Sequence, residues 1–231
     1  MPENSANPLR PASTRKRLLS LTTALLSDAL GKTGAMDHDM RPMSAKCRMA
    51  GPAATLRVHP ADILMVAKAV SICPQGRVLV IDGQGELNTA LWGEIVTLEA
   101  RLKGLAGVVI DGAIRDSAAI RRDRFPVFAR AVVPNAGGSE YAGVVGEPIQ
   151  CGGVVVSPGD WVVGDEDGVV VIPAGRLSEV LKTAERLREV EKEIEREVRR
   201  GKNLAAILRY DELLVRKGGR VIPPQTRFRR K

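Results

Sequence analysis

Gly93-Glu94-Ile95-Val96 and, with twenty residues between Glu94 and it, Arg115-Asp116 are the residues best suited to chemistry. They combine one guanidinium, two carboxylates and the free backbone N–H groups of a helix start. Carboxylate oxygens are the hard ligands that Mg²⁺ and Mn²⁺ prefer, and Mg²⁺ keeps several waters beside one or two protein carboxylates. Asp116 is therefore the candidate metal ligand, and Glu94 is placed to orient metal-bound water. Arg115 is always charged and can grip a carboxylate in bidentate fashion. The N–H groups of Gly93, Glu94, Ile95 and Val96 can receive an anion at a helix start, where glycine lets a ligand come close. The set suits a small oxo-acid held beside a divalent cation. Structural roles compete with this one: Asp116 as a cap of the next helix, and Arg115 as a partner of Glu94 or Asp111.

Other chemistries fit less well. The two histidines are His38 and His59. His38 falls in a connector and His59 precedes Pro60, so a Ser-His-Asp hydrolase lacks a placed base. A Schiff-base aldolase needs a desolvated lysine, yet no lysine falls in a predicted strand, and Lys68 and Lys103 sit near helix ends. Asp82-Gly83-Gln84-Gly85 starts like a dinucleotide fingerprint, but Asn88 stands where the third glycine belongs. Cys47, Cys73 and Cys151 lie far apart with no C-x-x-C. They suggest neither zinc nor disulfides, and fit reduced thiols in a cytoplasm.

The elements that must position the set are short and apolar. A helix is expected from Ser13 or Thr14 to Leu30, stopped by Gly31. Residues 36–49 read as a connector, 53–58 as a strand, and Pro60-Ala61-Asp62 opens a helix through Val70. Strand 77–81 stops at Asp82-Gly83, and a helix over 87–102 follows, broken at Gly93. Strand 107–110 runs into the turn before a helix over 117–122. Strands follow at 126–129, 154–156, 161–163 and 169–172, separated by turn compositions. Helix 178–200 carries an apolar stripe with Glu191 near its middle and Glu193 roughly opposite. A carboxylate in such a stripe needs a partner, either an arginine across an interface or a neighbouring subunit's site. Short Val-rich strands among helices predict an α/β layered domain with a C-terminal helical arm.

The 231 residues suit one domain over 14–210, a mobile tail over 1–13 and a basic, disordered tail over 216–231. The net charge of +8 belongs to those tails, for the last sixteen residues hold seven Lys/Arg and no acid. Such tails read as solvated segments or as attractors of polyanions. Aromatic residues make up 3%, so the chain offers no base-stacking platform and nucleic acid is not an expected partner. No apolar run reaches the ~20 residues of a membrane span. The segment 15–26 is interrupted by Ser20, Thr22 and Thr23, and reads as an amphipathic first helix, not a signal peptide.

Gly93-Glu94, the run 104–116, Pro126-Val127-Phe128-Ala129, Cys151-Gly152-Gly153-Val154, Pro158-Gly159-Asp160 and Asp165-Glu166-Asp167-Gly168 together resemble the RraA-like family. This is the family of the regulator of ribonuclease E activity A, and it includes metal-dependent 4-hydroxy-4-methyl-2-oxoglutarate aldolases. His59-Pro60-Ala61-Asp62 and Leu64-Met65-Val66 add to the match, which covers roughly residues 20–210. The resemblance implies a swivelling β/β/α fold and a homotrimer or homohexamer with its active site between subunits. It implies a lyase of class II type, cleaving 4-hydroxy-2-oxo acids to pyruvate and decarboxylating oxaloacetate. Asp116 would bind Mg²⁺ or Mn²⁺, Arg115 would stabilise the pyruvate enolate, and the amides of 93–96 would hold the substrate carboxylate. The aldolase branch carries Asp-x20-Arg-Asp, and this chain has Glu94 at the first position. An acid from a neighbouring C-terminal helix is implied as well; Glu191 fits the stripe, and Glu193 fits a register counted back from Gly201. The alternative is a non-catalytic, protein-binding regulator of a ribonuclease. Retention of Arg115 and Asp116 favours the enzyme.

Overall fold

The computed structural model describes residues 11–44 and 47–220. In chain order the elements begin with α1 (Pro11–Leu19), α2 (Thr23–Ala29), β1 (Arg41–Pro42), β2 (Met49–Arg57), α3 (Leu64–Ile72) and β3 (Val78–Trp92). Then come α4 (Glu94–Leu102), β4 (Gly107–Ile114), α5 (Ser117–Asp123), β5 (Val127–Val132), β6 (Val144–Val145), β7 (Ile149–Cys151) and β8 (Val154–Val156). The chain continues with β9 (Trp161–Asp165), β10 (Gly168–Ile172), α6 (Leu177–Arg199), α7 (Leu204–Ile207) and α8 (Tyr210–Arg216).

β2, β3, β4 and β5 are parallel neighbours joined through α3, α4 and α5. Parallel strands need such crossovers, and the crossovers cover the sheet. The full order is β1-β5-β4-β3-β2-β9-β10, with β6 beside β2 and β7–β8 as a separate hairpin. Alternate side chains of one strand face two cores. Leu79, Ile81, Val108 and Ile110 join Val66, Val70 and Ile120 of the helices on one face. Val78, Val80 and Val109 meet Met40, Met49, Phe128 and Val162 on the other. The expected α/β layering and long C-terminal helix are both present.

Four boundaries differ from the sequence reading. β4 does not stop at Ile110 before a turn but runs through Asp111-Gly112-Ala113 to Ile114, because these residues keep pairing with β3 and β5. The first helix is two, because Thr22 is extended and its hydroxyl accepts from Leu25 N–H, which starts α2 afresh. The helix after Pro60 begins only at Leu64, where the Asp62 carboxylate accepts from Leu64 N–H. The largest correction is at 82–92, read as a stop and then a helix. β3 continues through it to Trp92 with register shifts against β4, and only 94–102 is helical. Non-local pairing with β4 overrides the helical spacing of Leu87 and Leu91.

Residues up to Glu185 form one compact unit and residues from Arg186 another, so the boundary falls within α6. In the first unit α6 buries Val180, Leu181 and Ala184. The second unit carries exposed ion pairs along its helices, such as Lys192–Glu189 and Arg200–Glu197, and Asn203 caps α7. Residues 11–13 of the expected mobile tail lie in α1, and Arg216 of the expected basic tail ends α8. The rest of those tails, residues 1–10 and 221–231, lies outside the described residues, apart from 217–220. The three cysteines are free and buried.

One charged knot ties β4 and β5 to the loop before β1. The Arg130 guanidinium donates to Asp111 at 2.5 Å, to Asp37 at 2.8 Å and to Asp39. Asp111 also accepts from Gly152 N–H at 2.6 Å. The hydrogen bond and charge of Arg130 outweigh partial burial and hold the Asp39 carboxyl below its ordinary range. Arg130→Met should lower stability by about 2 kcal/mol, less than for a fully enclosed pair because Asp37 and Asp39 are open to water. The check is the urea midpoint. The Asp39 contribution is present above the unfolded carboxylate pKa of about 3.9 and is lost as pH falls through the lower folded value. The variant should lack that acid-sensitive part.

Candidate active site

The β3–β4 register builds the site. Trp92 pairs with Ile114 at the ends of the two parallel strands, and Arg115 N–H donates to Trp92 C=O at 2.9 Å. The chain leaving β3 at Gly93-Glu94 therefore lies beside the chain leaving β4 at Arg115-Asp116. Two stretches twenty residues apart become neighbours.

Gly93 is the N-cap of α4. A Cβ there would stand 2.6 Å from Asp116 Oδ2 and 3.3 Å from Arg115 Cγ. Only glycine lets the Asp116 carboxylate come this close. Asp116 Oδ2 accepts from Glu94 N–H at 3.1 Å, and Arg115 Nε lies 3.5 Å from the same oxygen. Asp116 is left-handed, with φ 57° and ψ 33°, and its side chain does not cap α5. Such a backbone costs a non-glycine residue about 1–2 kcal/mol. The side-chain cap considered for Asp116 is thus replaced by a carboxylate turned across to α4. Arg115 pairs with Asp116, not with Glu94 or Asp111, since Asp111 is held by Arg130.

A relay that the sequence reading missed fixes the helix start. Trp92 Nε1 donates to Thr97 Oγ1 at 2.6 Å, and the Thr97 hydroxyl donates to Gly93 C=O at 2.8 Å. Trp92 and Thr97 are buried. The first-turn N–H groups of Ile95 and Val96 have no carbonyl four residues back within α4 and remain available to an anion.

Gly93, Glu94, Ile95, Val96, Arg115 and Asp116 all line one cavity of about 260 Å³. Its apolar walls include Ile63, Val66 and Trp92. Of the predicted site residues Glu191 is the one not among these. It lies in the second unit, exposed, with no bond among the described residues, whereas Glu193 pairs with Arg196. A larger groove of about 840 Å³ lies between α1 and the 74–77 loop. Its charged lining is Arg15, Lys16 and Arg77, with no carboxylate, so it lacks the donors that the smaller cavity brings together.

A family model described as "RraA-like: Aldolase/RraA" matches residues 23–171. The chain belongs to the RraA-like family. It is 37% identical over 196 residues, 85% of this chain and 92% of the relative, to a Halalkalibacterium halodurans protein named "Putative 4-hydroxy-4-methyl-2-oxoglutarate aldolase". A solved structure of an uncharacterized protein from Pseudomonas syringae superposes with a TM-score of 0.76 at 28% identity, covering 84% of this chain and 92% of that one. A structure described as the RNA-processing inhibitor RraA, from Thermus thermophilis, matches with a TM-score of 0.61 at 36% identity, over 66% of this chain and 92% of that one. The α/β fold of this RraA-like chain is that of its structural neighbours. No helix among the described residues is long and apolar enough to cross a membrane.

Asp62 fixes the start of α3 next to Ile63, which lines the cavity. It is buried and accepts N–H donors from Leu64 at 2.9 Å, Glu140 at 2.6 Å and Tyr141 at 3.0 Å. Burial pushes its carboxyl up, but the three donors outweigh burial and leave it below the ordinary range. Its contribution to stability is present above the unfolded pKa and is lost as pH falls through the lower folded value. Asp62→Ala removes the shared acceptor of three N–H donors and should cost about 1–2 kcal/mol, read as a lower melting midpoint.

Proposed function

We propose that this RraA-like protein is a divalent-metal-dependent lyase that cleaves 4-hydroxy-2-oxo acids to pyruvate and also decarboxylates oxaloacetate. The observation that carries this reading is the clasp of Asp116 on Glu94 N–H across Gly93, with Arg115 beside it. The aldolase name of the Halalkalibacterium halodurans relative supports it.

The donor set fits Mg²⁺ or Mn²⁺. No group of three or more His, Cys, Asp or Glu side chains is placed to hold a metal among the described residues. A hard cation that keeps most of its waters needs only one or two carboxylates. Asp116 would hold it, with Glu94 beside it. When bound, the cation supplies Lewis-acid polarisation of the substrate's 2-oxo group.

The chain's own residues do the rest. The N–H groups of Ile95 and Val96 receive the substrate carboxylate at the helix start. Arg115 sets a fixed positive charge where the C2 oxygen becomes negative, and a preorganised charge stabilises the enolate more than the substrate. Glu94 orients a water that removes the C4 hydroxyl proton. The proton passes through that water to Glu94, the C3–C4 bond breaks with its electrons passing into the enolate, C4 leaves as the carbonyl carbon of the second product, and protonation at C3 yields pyruvate. Oxaloacetate needs no base, because loss of CO₂ leaves the same enolate.

A homotrimer or homohexamer with an intersubunit site is part of this proposal. Ile95, Leu98 and Leu102 leave an exposed apolar stripe on α4 beside the site, suited to a second copy. In that assembly Glu191 of a neighbouring copy serves as the further acid; its exposure without a partner supports the role.

Pyruvate release should be seen from 4-hydroxy-4-methyl-2-oxoglutarate and from oxaloacetate with Mg²⁺, and should stop with EDTA. Arg115→Ala should lower kcat by about 10²- to 10³-fold. Asp116→Ala should abolish metal-dependent turnover. Gly93→Ala should do nearly the same while the protein melts within about 1 kcal/mol of wild type. A folded protein that turns over neither substrate and takes up no metal would instead support a protein-binding regulator, the class suggested by the Thermus structure's description.

A further inference from the structure

Two cavities, not one, meet at Glu94, Arg115 and Asp116. The second is wider, about 630 Å³, and runs from these residues over the start of α5 to Val132, Val133 and Pro134. It also takes in Arg122. The two spaces differ in charge. The smaller cavity sets Glu94, Glu99 and Asp116 against Arg115 and is acidic. In the open cavity Glu94 and Asp116 face Arg115 and Arg122, and the charges balance. A divalent cation would leave the first near neutral and make the second positive.

Arg122 is also uncommitted. No ion pair or hydrogen bond of its guanidinium is recorded among the described residues, and it is exposed. Its neighbours are engaged: Arg121 donates to Ser117 Oγ at 3.1 Å, and Asp123 is held by Arg101 at 2.9 Å. Arg122 lies six residues beyond Asp116, about 9 Å along a helix. An extended arginine and a five-carbon chain together bridge that gap. A charged donor kept free at the open end of an anion site is a ready partner for a second anionic group.

The geometry points to Arg122 as the residue that receives the distal carboxylate of the substrate. The inference rests on the oxo-acid lyase reading and names the residue that reads the substrate's tail. The 2-oxo acid head lies in the smaller cavity at the amides of Ile95 and Val96. The tail beyond C3 leaves past Arg115 into the open cavity, where Arg122 selects dicarboxylic over monocarboxylic substrates. An apolar tail in the same place would leave the Arg122 charge without a partner and gain nothing from it.

Calorimetric titration in the presence of Mg²⁺ tests this without turnover. The ligands are 2-oxoglutarate and 2-oxopentanoate, which differ in the distal carboxylate. Wild type should prefer 2-oxoglutarate. Arg122→Ala should weaken 2-oxoglutarate about tenfold or more and leave 2-oxopentanoate unchanged. Arg122→Lys should recover part of the loss, since the charge stays and the planar fork goes. Equal effects on both ligands, or no effect on either, overturn the assignment to Arg122 while the oxo-acid site stands. If wild type binds neither ligand, the oxo-acid reading fails and this inference fails with it.

Discussion

The hydrogen bond from Glu94 N–H to the Asp116 carboxylate is the contact on which the site depends. It closes only because two parallel strands end together, with Trp92 opposite Ile114. It also needs Gly93, where any side chain would collide with the carboxylate. The left-handed backbone of Asp116 is the local cost of aiming that carboxylate at α4 rather than at its own helix. The buried relay from Trp92 through Thr97 to Gly93 holds the other side of the clasp. Sheet register, one glycine and one strained aspartate therefore act as a single device.

That device gathers opposite charges without cancelling their use. Asp116 is shared between one amide and one guanidinium, both on Oδ2, and its side chain stays partly open to solvent. Arg115 is likewise partly exposed. Groups so placed can exchange these partners for a cation and an oxo-acid at small cost, because little has to be desolvated or rebuilt. The Arg130 knot behaves differently. Its three carboxylates are tied to one guanidinium, which suits a fixed support for β4 more than a binding site. Asp62 supports the other wall in the same way, by satisfying backbone donors at the start of α3 and in the 138–141 loop.

Much of this was legible in the chain's residues, for reasons that can be stated. The strands expected at 107–110, 126–129, 161–163 and 169–172 are apolar runs, so their existence is local, while the extension of β4 through Asp111-Gly112 to Ile114 comes from pairing with β3 and β5. Glu94, Arg115 and Asp116 stand out by type and spacing alone. The segment 82–92 misleads because Asp82-Gly83 has a turn composition, and Leu87 and Leu91 have helical spacing. Its strand state comes from β4, which is distant in sequence. The split at Thr22 turns on one cap within an otherwise continuous helical pattern. The Arg130 knot and the Trp92–Thr97 relay were not legible, since polar groups reveal their partners only once the sheet has brought them together. Helical spacing puts Glu191 in an apolar stripe, yet in this chain by itself it is exposed.

The central claim is that the clasp stabilises a pyruvate enolate beside a divalent cation. The most direct test is exchange of the pyruvate methyl protons with D₂O, followed by proton NMR, because exchange requires the enolate and no particular tail on the substrate. The account predicts exchange that depends on Mg²⁺ or Mn²⁺, stops with EDTA and is absent from Asp116→Ala. No exchange from the folded wild-type protein with either metal would contradict it.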